Sequence, residues 1–321
     1  MATYKGIQGY TVQKLSSDPT ASEAEGQLWY NSTTGAFKIG TASAGAWSSG
    51  GGLNTERGQA ASAGTQTAAL FFAGEPPAPT KSDLTEKYDG TTWSETNDLL
   101  TTRYYPGGAG TQTAALCISG QRPPGGTNIT NSETWNGTSW TEGNNVLAAR
   151  YGGRGIGITT AALFTGGEAT AANEKYDGTS WTEGNDLNTA RNEAGAAGIQ
   201  TAALYFGGAE PGASGKSETY DGTSWTEGND LGTARKTGEG FGTTTSAIYA
   251  GGQTQTTTEG YDGTSWYTDV AIPGARYGHG GLGATGTAGL IAGGTPPGGI
   301  TTVDEYTGVT TAAEAADIDF D

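Results

Sequence analysis

One cysteine, one histidine and one methionine are present in 321 residues, and each scarcity removes a class of chemistry. A lone Cys117 excludes an internal disulfide framework. Lying in the apolar run ALCIS, it reads as a small buried residue rather than a nucleophile. A lone His279, in RYGHGGLG, leaves no histidine/cysteine set with ligand spacing, so no metal site and no cofactor are expected. It reads instead as a residue that caps or packs in a Gly-rich strand. Basic residues are few, 16 Lys+Arg against 33 Asp+Glu, giving a net charge of −17. Such a chain repels phosphate backbones and anionic membranes, so nucleic acid is not an expected partner. Long hydrophobic runs are missing too. None approaches the roughly 18 residues of a membrane helix, so no membrane insertion is expected. MATYKGIQGY has no apolar leader run, so no signal peptide is expected.

What the chain does have is 57 glycines together with 8 Trp, 15 Tyr and 7 Phe, and the aromatics recur at fixed intervals. YDGTSWTEGND occurs at 176–186 and again at 220–230, with near-copies at 88–98, 135–145 and 261–271. Trp47, Trp93, Trp140, Trp181, Trp225 and Trp266 are spaced by 41 to 47 residues. Roughly ten residues after each Trp comes an arginine, then a Gly-rich run, then an apolar segment such as TAALFTGG or TAALYFGG. Each unit therefore reads as four short strands. The apolar segment is the second, apolar on both faces as a strand buried between sheets should be. Asp-Gly or Asn-Gly joins the third to the fourth, because both residues tolerate positive φ. A period of this length with four strands is that of a β-propeller blade.

The order Arg, Gly-rich strand, apolar strand ending in a glycine pair, Tyr, then Trp resembles the kelch repeat over about residues 41–308. The pair is intact at 166–167, 207–208, 251–252 and 293–294, and departs to Ala-Gly at 73–74 and Ser-Gly at 119–120. In the second unit the third-strand Tyr is replaced by Trp135. The last unit has Arg276 and Tyr306 but no following Trp, while Trp47 has no unit upstream. The expected fold is thus all-β: a six-bladed kelch-like β-propeller with four-stranded blades, its ring closed by an N-terminal strand in the last blade. Closure of that kind removes a long exposed edge. Residues 1–40 are expected to form an attachment segment and 309–321 an acidic tail carrying Glu314, Asp317, Asp319 and Asp321.

Carboxylate pairs such as Glu183/Asp186 and Glu227/Asp230 could suit a glycosidase. They are repeated blade features, whereas one catalytic site needs two differently tuned carboxyls, so no catalytic residues are expected. No segment has the alternating ligands of a calcium loop. The kelch resemblance implies a channel-mouth ring of Arg57, Arg103, Arg150, Arg191, Arg235 and Arg276. Such a ring could bind carboxylates or sulfated and uronic glycans. The favoured alternative is that each arginine locks neighbouring blades through carbonyls and the acids of the preceding TEGND segment, since unpaired cations repel one another. Recognition is then expected in the loops between second and third strands, which vary most.

GQLWYNSTTGAFKIG reads as a hairpin and resembles the Leu-Trp-Tyr-Asn hairpin of bacteriophage tail-fibre and other virion proteins. The resemblance implies a non-enzymatic structural or adhesion protein of the virion. It would contact other virion proteins through residues 1–40 and host-surface glycan through the loops. A carbohydrate-active enzyme on a propeller and an intracellular kelch interaction module are the alternatives.

Overall fold

The computed structural model describes residues 12–17, 28–42, 45–76, 83–168, 170–253, 255–295, 299–308 and 311–314. Among them the regular elements are strands, with no helix. The chain divides into two compact units, 47–307 and the combination of 1–46 with 308–321.

Six four-stranded sheets make up the larger unit among the described residues. In the third, Arg154–Ile158, Ala161–Thr165, Asn173–Tyr176 and Trp181–Glu183 pair antiparallel in chain order. Four of the five residues of Ala161–Thr165 are buried, because neighbouring sheets cover both of its faces. The third and fourth strands turn at Asp177–Gly178. There the Asp177 carboxylate accepts the backbone N–H groups of Thr179 (2.8 Å) and Ser180 (2.7 Å), and Gly178 has φ +94°. This turn sets Tyr176 opposite Trp181, with ring centroids 4.8 Å apart. Residues 61–95, 107–142, 195–227 and 239–269 repeat the arrangement. In the sixth sheet the three strands of 280–307 are joined by Ala46–Ser49, and Trp47 lies 4.9 Å from Tyr306.

Each apolar cluster draws on two consecutive sheets. Phe72 of the first packs with Trp135 and Trp140 of the second. Ile118 of the second packs with Phe164 and Trp181 of the third. One cluster joins Leu290 and Val303 of the sixth sheet to Phe71 and Trp93 of the first. Each large side chain so buried stabilises by roughly 1.5–3 kcal/mol, so the inter-sheet seams hold the unit together. The first strands lie side by side, and only small residues fit where their backbones meet most closely. A Cβ on Gly155 would sit 2.6 Å from the carbonyl oxygen of Gly108 in the adjacent sheet.

The glycine pairs end the second strands and show why two of them tolerate a departure. The first member has φ of +57° to +65°, which Ala73 and Ser119 also adopt. The second has φ of +96° to +107° and is glycine in all six sheets. Its N–H donates to the carbonyl of the next repeat arginine at 2.9–3.1 Å, Gly294 of the sixth sheet donating to Arg57.

In the smaller unit Leu28–Asn31 and Ala36–Ala42 form an antiparallel hairpin, with the Asn31 side-chain oxygen accepting the N–H groups of Thr33 and Thr34. Gln13–Leu15 pairs parallel to the first of these strands. Thr311–Glu314, expected at the start of an acidic tail, is instead a strand paired with the far half of Ala36–Ala42. It lies on the edge of Ala36–Ala42 away from Leu28–Asn31, where it satisfies ladder groups of that edge. Residues 1–11, and Asp317, Asp319 and Asp321 of the expected tail, lie outside the described residues.

Candidate functional site

The six repeat arginines do not form an open cationic ring. Arg57, Arg103, Arg150, Arg191, Arg235 and Arg276 are 0–2% exposed, and each meets one carboxylate, respectively Glu86, Glu133, Glu174, Glu218, Glu259 and Asp304. A ligand at the channel mouth cannot reach guanidinium groups held this way. Their partners are not the TEGND acids either. They are acids two residues before the third-strand aromatic, within the sheet that each arginine's linker enters.

Arg191 shows the chemistry. Its guanidinium donates to Glu218 at 2.8 Å and to the Lys216 carbonyl at 2.5 Å, and lies 5.2 Å from the Tyr205 ring centre. Glu218 also accepts the backbone N–H of Asn188 at 2.7 Å. Linker, second strand and third strand are pinned by one ion pair, and Glu86, Glu133, Glu174 and Glu259 accept a linker N–H in the same way. Burial lowers the Arg276 guanidinium from its ordinary value, opposed by Asp304, whose own carboxyl burial raises. The TEGND asparagine has a different task. Asn97, Asn144, Asn185 and Asn229 donate to the carbonyls of Thr138, Thr179, Thr223 and Thr264 in the turn of the following sheet.

With the repeated polar groups so employed, the positions that differ between copies stand out. Two residues after each arginine come Gln59, Tyr105, Gly152, Glu193, Thr237 and Gly278, all with φ of +54° to +68°. Their backbones form a hydrogen-bonded circuit. Tyr105 donates to Gln59, Gly152 to Tyr105, Glu193 to Gly152, Thr237 to Glu193, Gly278 to Thr237 and Gln59 to Gly278, at 2.6–3.0 Å. Around this circuit are the half-buried rings of Tyr104, Tyr105 and Tyr151, with successive centroids 5.8 and 5.7 Å apart.

Behind the circuit, a cavity of about 20 Å³ is lined by Gln59, Tyr105, Arg154, Glu193, Glu239 and His279, among others. That volume holds about one water. Arg154 and Glu239 occupy the same first-strand position in the third and fifth sheets, where the other four sheets have Ala61, Gly107, Gly195 and Gly280. They pair at 2.5 Å, and Arg154 also donates to the Ala194 and Gly238 carbonyls. Burial pushes the Glu239 carboxyl up to about 7 against the pull of Arg154. His279 is fully buried, with Nε2 on the Ala250 carbonyl, and burial followed by the Arg276 charge holds its imidazole well below the usual range. On the far side, a cavity of about 110 Å³ is lined by the first strands of all six sheets. Sequence reasoning missed both features. Two charges in a column of Ala and Gly were the available signal for the buried pair, and the varied side chains of the backbone circuit conceal that circuit.

Cys117 is buried, and burial raises its thiol to about 12, well away from a reactive thiolate. Among the described residues no group of three or more His, Cys, Asp and Glu could hold a metal ion. No protein-family model matches the chain, and no curated protein matches it. Among solved structures, the one titled "Structure of YjhT", of β-propeller type, is similar with a TM-score of 0.69. The match covers 81% of this chain and 99% of that one at 14% identity. The likeness carries the fold alone: an all-β, β-propeller-like set of four-stranded sheets.

Proposed function

We propose that the chain is a non-enzymatic bacteriophage virion protein, associated with tail or fibre, that uses a closed six-bladed kelch-type propeller for adhesion. Three observations support the closed ring: the backbone circuit returning from Gly278 to Gln59, the apolar seam between the sixth and first sheets, and the chain-start strand in the sixth sheet. The adhesion reading is carried by one observation above all. The six repeated arginines and their acids are consumed by bonds within the frame, while side chains vary at one end of the first strands and in the loops. An array of that kind is a rigid platform for recognition rather than a repeated reaction centre.

Residues 1–40 attach the propeller to other virion proteins, and the variable face meets host-surface glycan. Purified particles test this directly. The protein should copurify with them, and removal of residues 1–40 should abolish incorporation while the remainder still folds; incorporation without that segment would refute the attachment role. Removal of residues 46–49 should lower the melting temperature or cause oligomerisation, and unchanged melting would refute closure.

The second reading, a carbohydrate-active enzyme, has Glu239 in its favour. Its carboxyl, raised to about 7 by burial, has no carboxyl counterpart at that position in the other five sheets, so it is not a repeated frame element. Glycan turnover lost in Glu239→Gln would establish it.

A further inference from the structure

The circuit of left-handed residues has a property that the frame does not require. All six positions share one backbone conformation, with φ near +60° and both N–H and C=O bonded to their neighbours. Glycine meets that conformation without strain, and two of the six are glycine. The other four carry Gln59, Tyr105, Glu193 and Thr237, in a region that bulky and β-branched side chains rarely enter. Side chains kept where glycine would be more comfortable have a use of their own, because strain of this kind persists at working surfaces.

Their chemistry indicates what that use is. Tyr105 lies between Tyr104 and Tyr151, giving a run of three half-buried aromatic rings tilted by 55° and 57° to one another. Burial, then the nearby charges of Glu193 and Glu75, drive its phenol above the ordinary value, so the hydroxyl stays protonated and able to donate. Gln59, whose side-chain oxygen is buried with no partner, lines the small cavity behind the circuit rather than its outer face. Glu193 holds Lys236 at 3.3 Å. The surface thus offers aromatic faces, donors and acceptors, and no surplus of positive charge, while the whole chain carries −17. Sulfated or uronic chains would be repelled, and their natural anchors, the six repeat arginines, are buried.

We propose that this end of the ring binds neutral oligosaccharide, sugar rings stacking on Tyr105 and Tyr151 while the Tyr105 hydroxyl and Glu193 hydrogen-bond their hydroxyl groups. The site rests on the adhesion reading and places it at the channel mouth instead of the second-to-third strand loops. The cavity behind it is too small for a sugar, so the ligand lies across the mouth and does not enter the channel.

The full chain is titrated with maltohexaose, cellohexaose, mannohexaose, chitohexaose and a heparin hexasaccharide, and binding is read by saturation-transfer NMR. At least one neutral probe should bind and heparin should not. Tyr105→Gly should weaken that binding by about tenfold, the loss of one stacking contact. Its melting temperature should fall by no more than a few degrees, since glycine relieves φ +54° while the packing of a half-buried ring is lost. Binding by heparin alone, by no neutral probe, or undiminished in the Tyr105→Gly/Tyr151→Gly double variant would overturn the site. Incorporation into particles depends on residues 1–40 and is measured separately, so failure at the mouth and failure of the virion reading are distinguishable.

Discussion

Replacing Glu218 with Ala tests whether the repeat arginines are frame or ligand site. The substitution leaves Arg191, 0% exposed, with only carbonyl oxygens and the Tyr205 ring, and orphans the Asn188 N–H that Glu218 accepts at 2.7 Å. Breaking a buried pair by removing one partner costs about 3–5 kcal/mol, because the remaining charge is uncompensated. For a unit of this size that is about 10 °C in melting temperature. Replacing both partners with apolar residues of similar volume, Arg191→Met with Glu218→Leu, removes the charges together and should recover most of the loss. Thermal unfolding followed by tryptophan fluorescence, with urea titration as a second probe, gives both numbers. A Glu218→Ala protein melting within about 2 °C of the parent would refute the locking role. So would a double variant no more stable than the single one.

Three further outcomes follow from the geometry. Gly167→Ala should cost about 2 kcal/mol or more in urea titration, since φ is +96° and the added Cβ would lie 2.7 Å from the Tyr151 carbonyl oxygen; Ala73→Gly, at the tolerant first position, should stay within about 1 kcal/mol. Glu239 has a folded carboxyl value near 7, above its unfolded one, so its neutral form is favoured by folding; stability should fall by up to about 3 kcal/mol as pH rises from about 4 to 7, and Glu239→Gln should flatten that part of the profile. Asp89, Asp177, Asp221 and Asp262 are held below the usual carboxylate range by backbone N–H bonds in their turns, so their contribution is present above pH 4 and lost on acidification; the fourfold Asp→Asn variant should show a shallower acid limb in melting temperature against pH.

The sheets were legible because their causes are local. Asp-Gly demands its turn, the second glycine of each pair demands its φ, and alternating Tyr and Trp mark where seams must fill. The arginine partners were harder. Arg191 lies five residues after Asp186, which made the TEGND acids look like its neighbours, yet strand pairing brings Glu218 to it across the next sheet. An acid recurs two residues before each third-strand aromatic, so the signal was in the repeat, but only the three-dimensional packing says which of two recurring acids is met. The mouth was hidden for a different reason. Its common feature is a backbone conformation, and Gln, Tyr, Gly, Glu and Thr share no side-chain property that would announce it. The Arg154–Glu239 pair joins the third sheet to the fifth, a relation that no neighbour-to-neighbour reading of the chain supplies.

The hydrogen bonds of the mouth circuit run head to tail, each N–H facing the preceding carbonyl until the sixth returns to the first. At a helix end, aligned peptide dipoles accumulate and their unbonded N–H groups attract anions. Around a loop, the components lying in its plane cancel, and no N–H of the circuit is left over for a ligand. The backbone of the circuit therefore offers an approaching group no free donor at this end of the unit. In the proposed site, selectivity would fall to side chains alone, each carried by a residue whose conformation its neighbours already hold. A change of ligand would need only an exchange of side chains, with the frame beneath them left as it is.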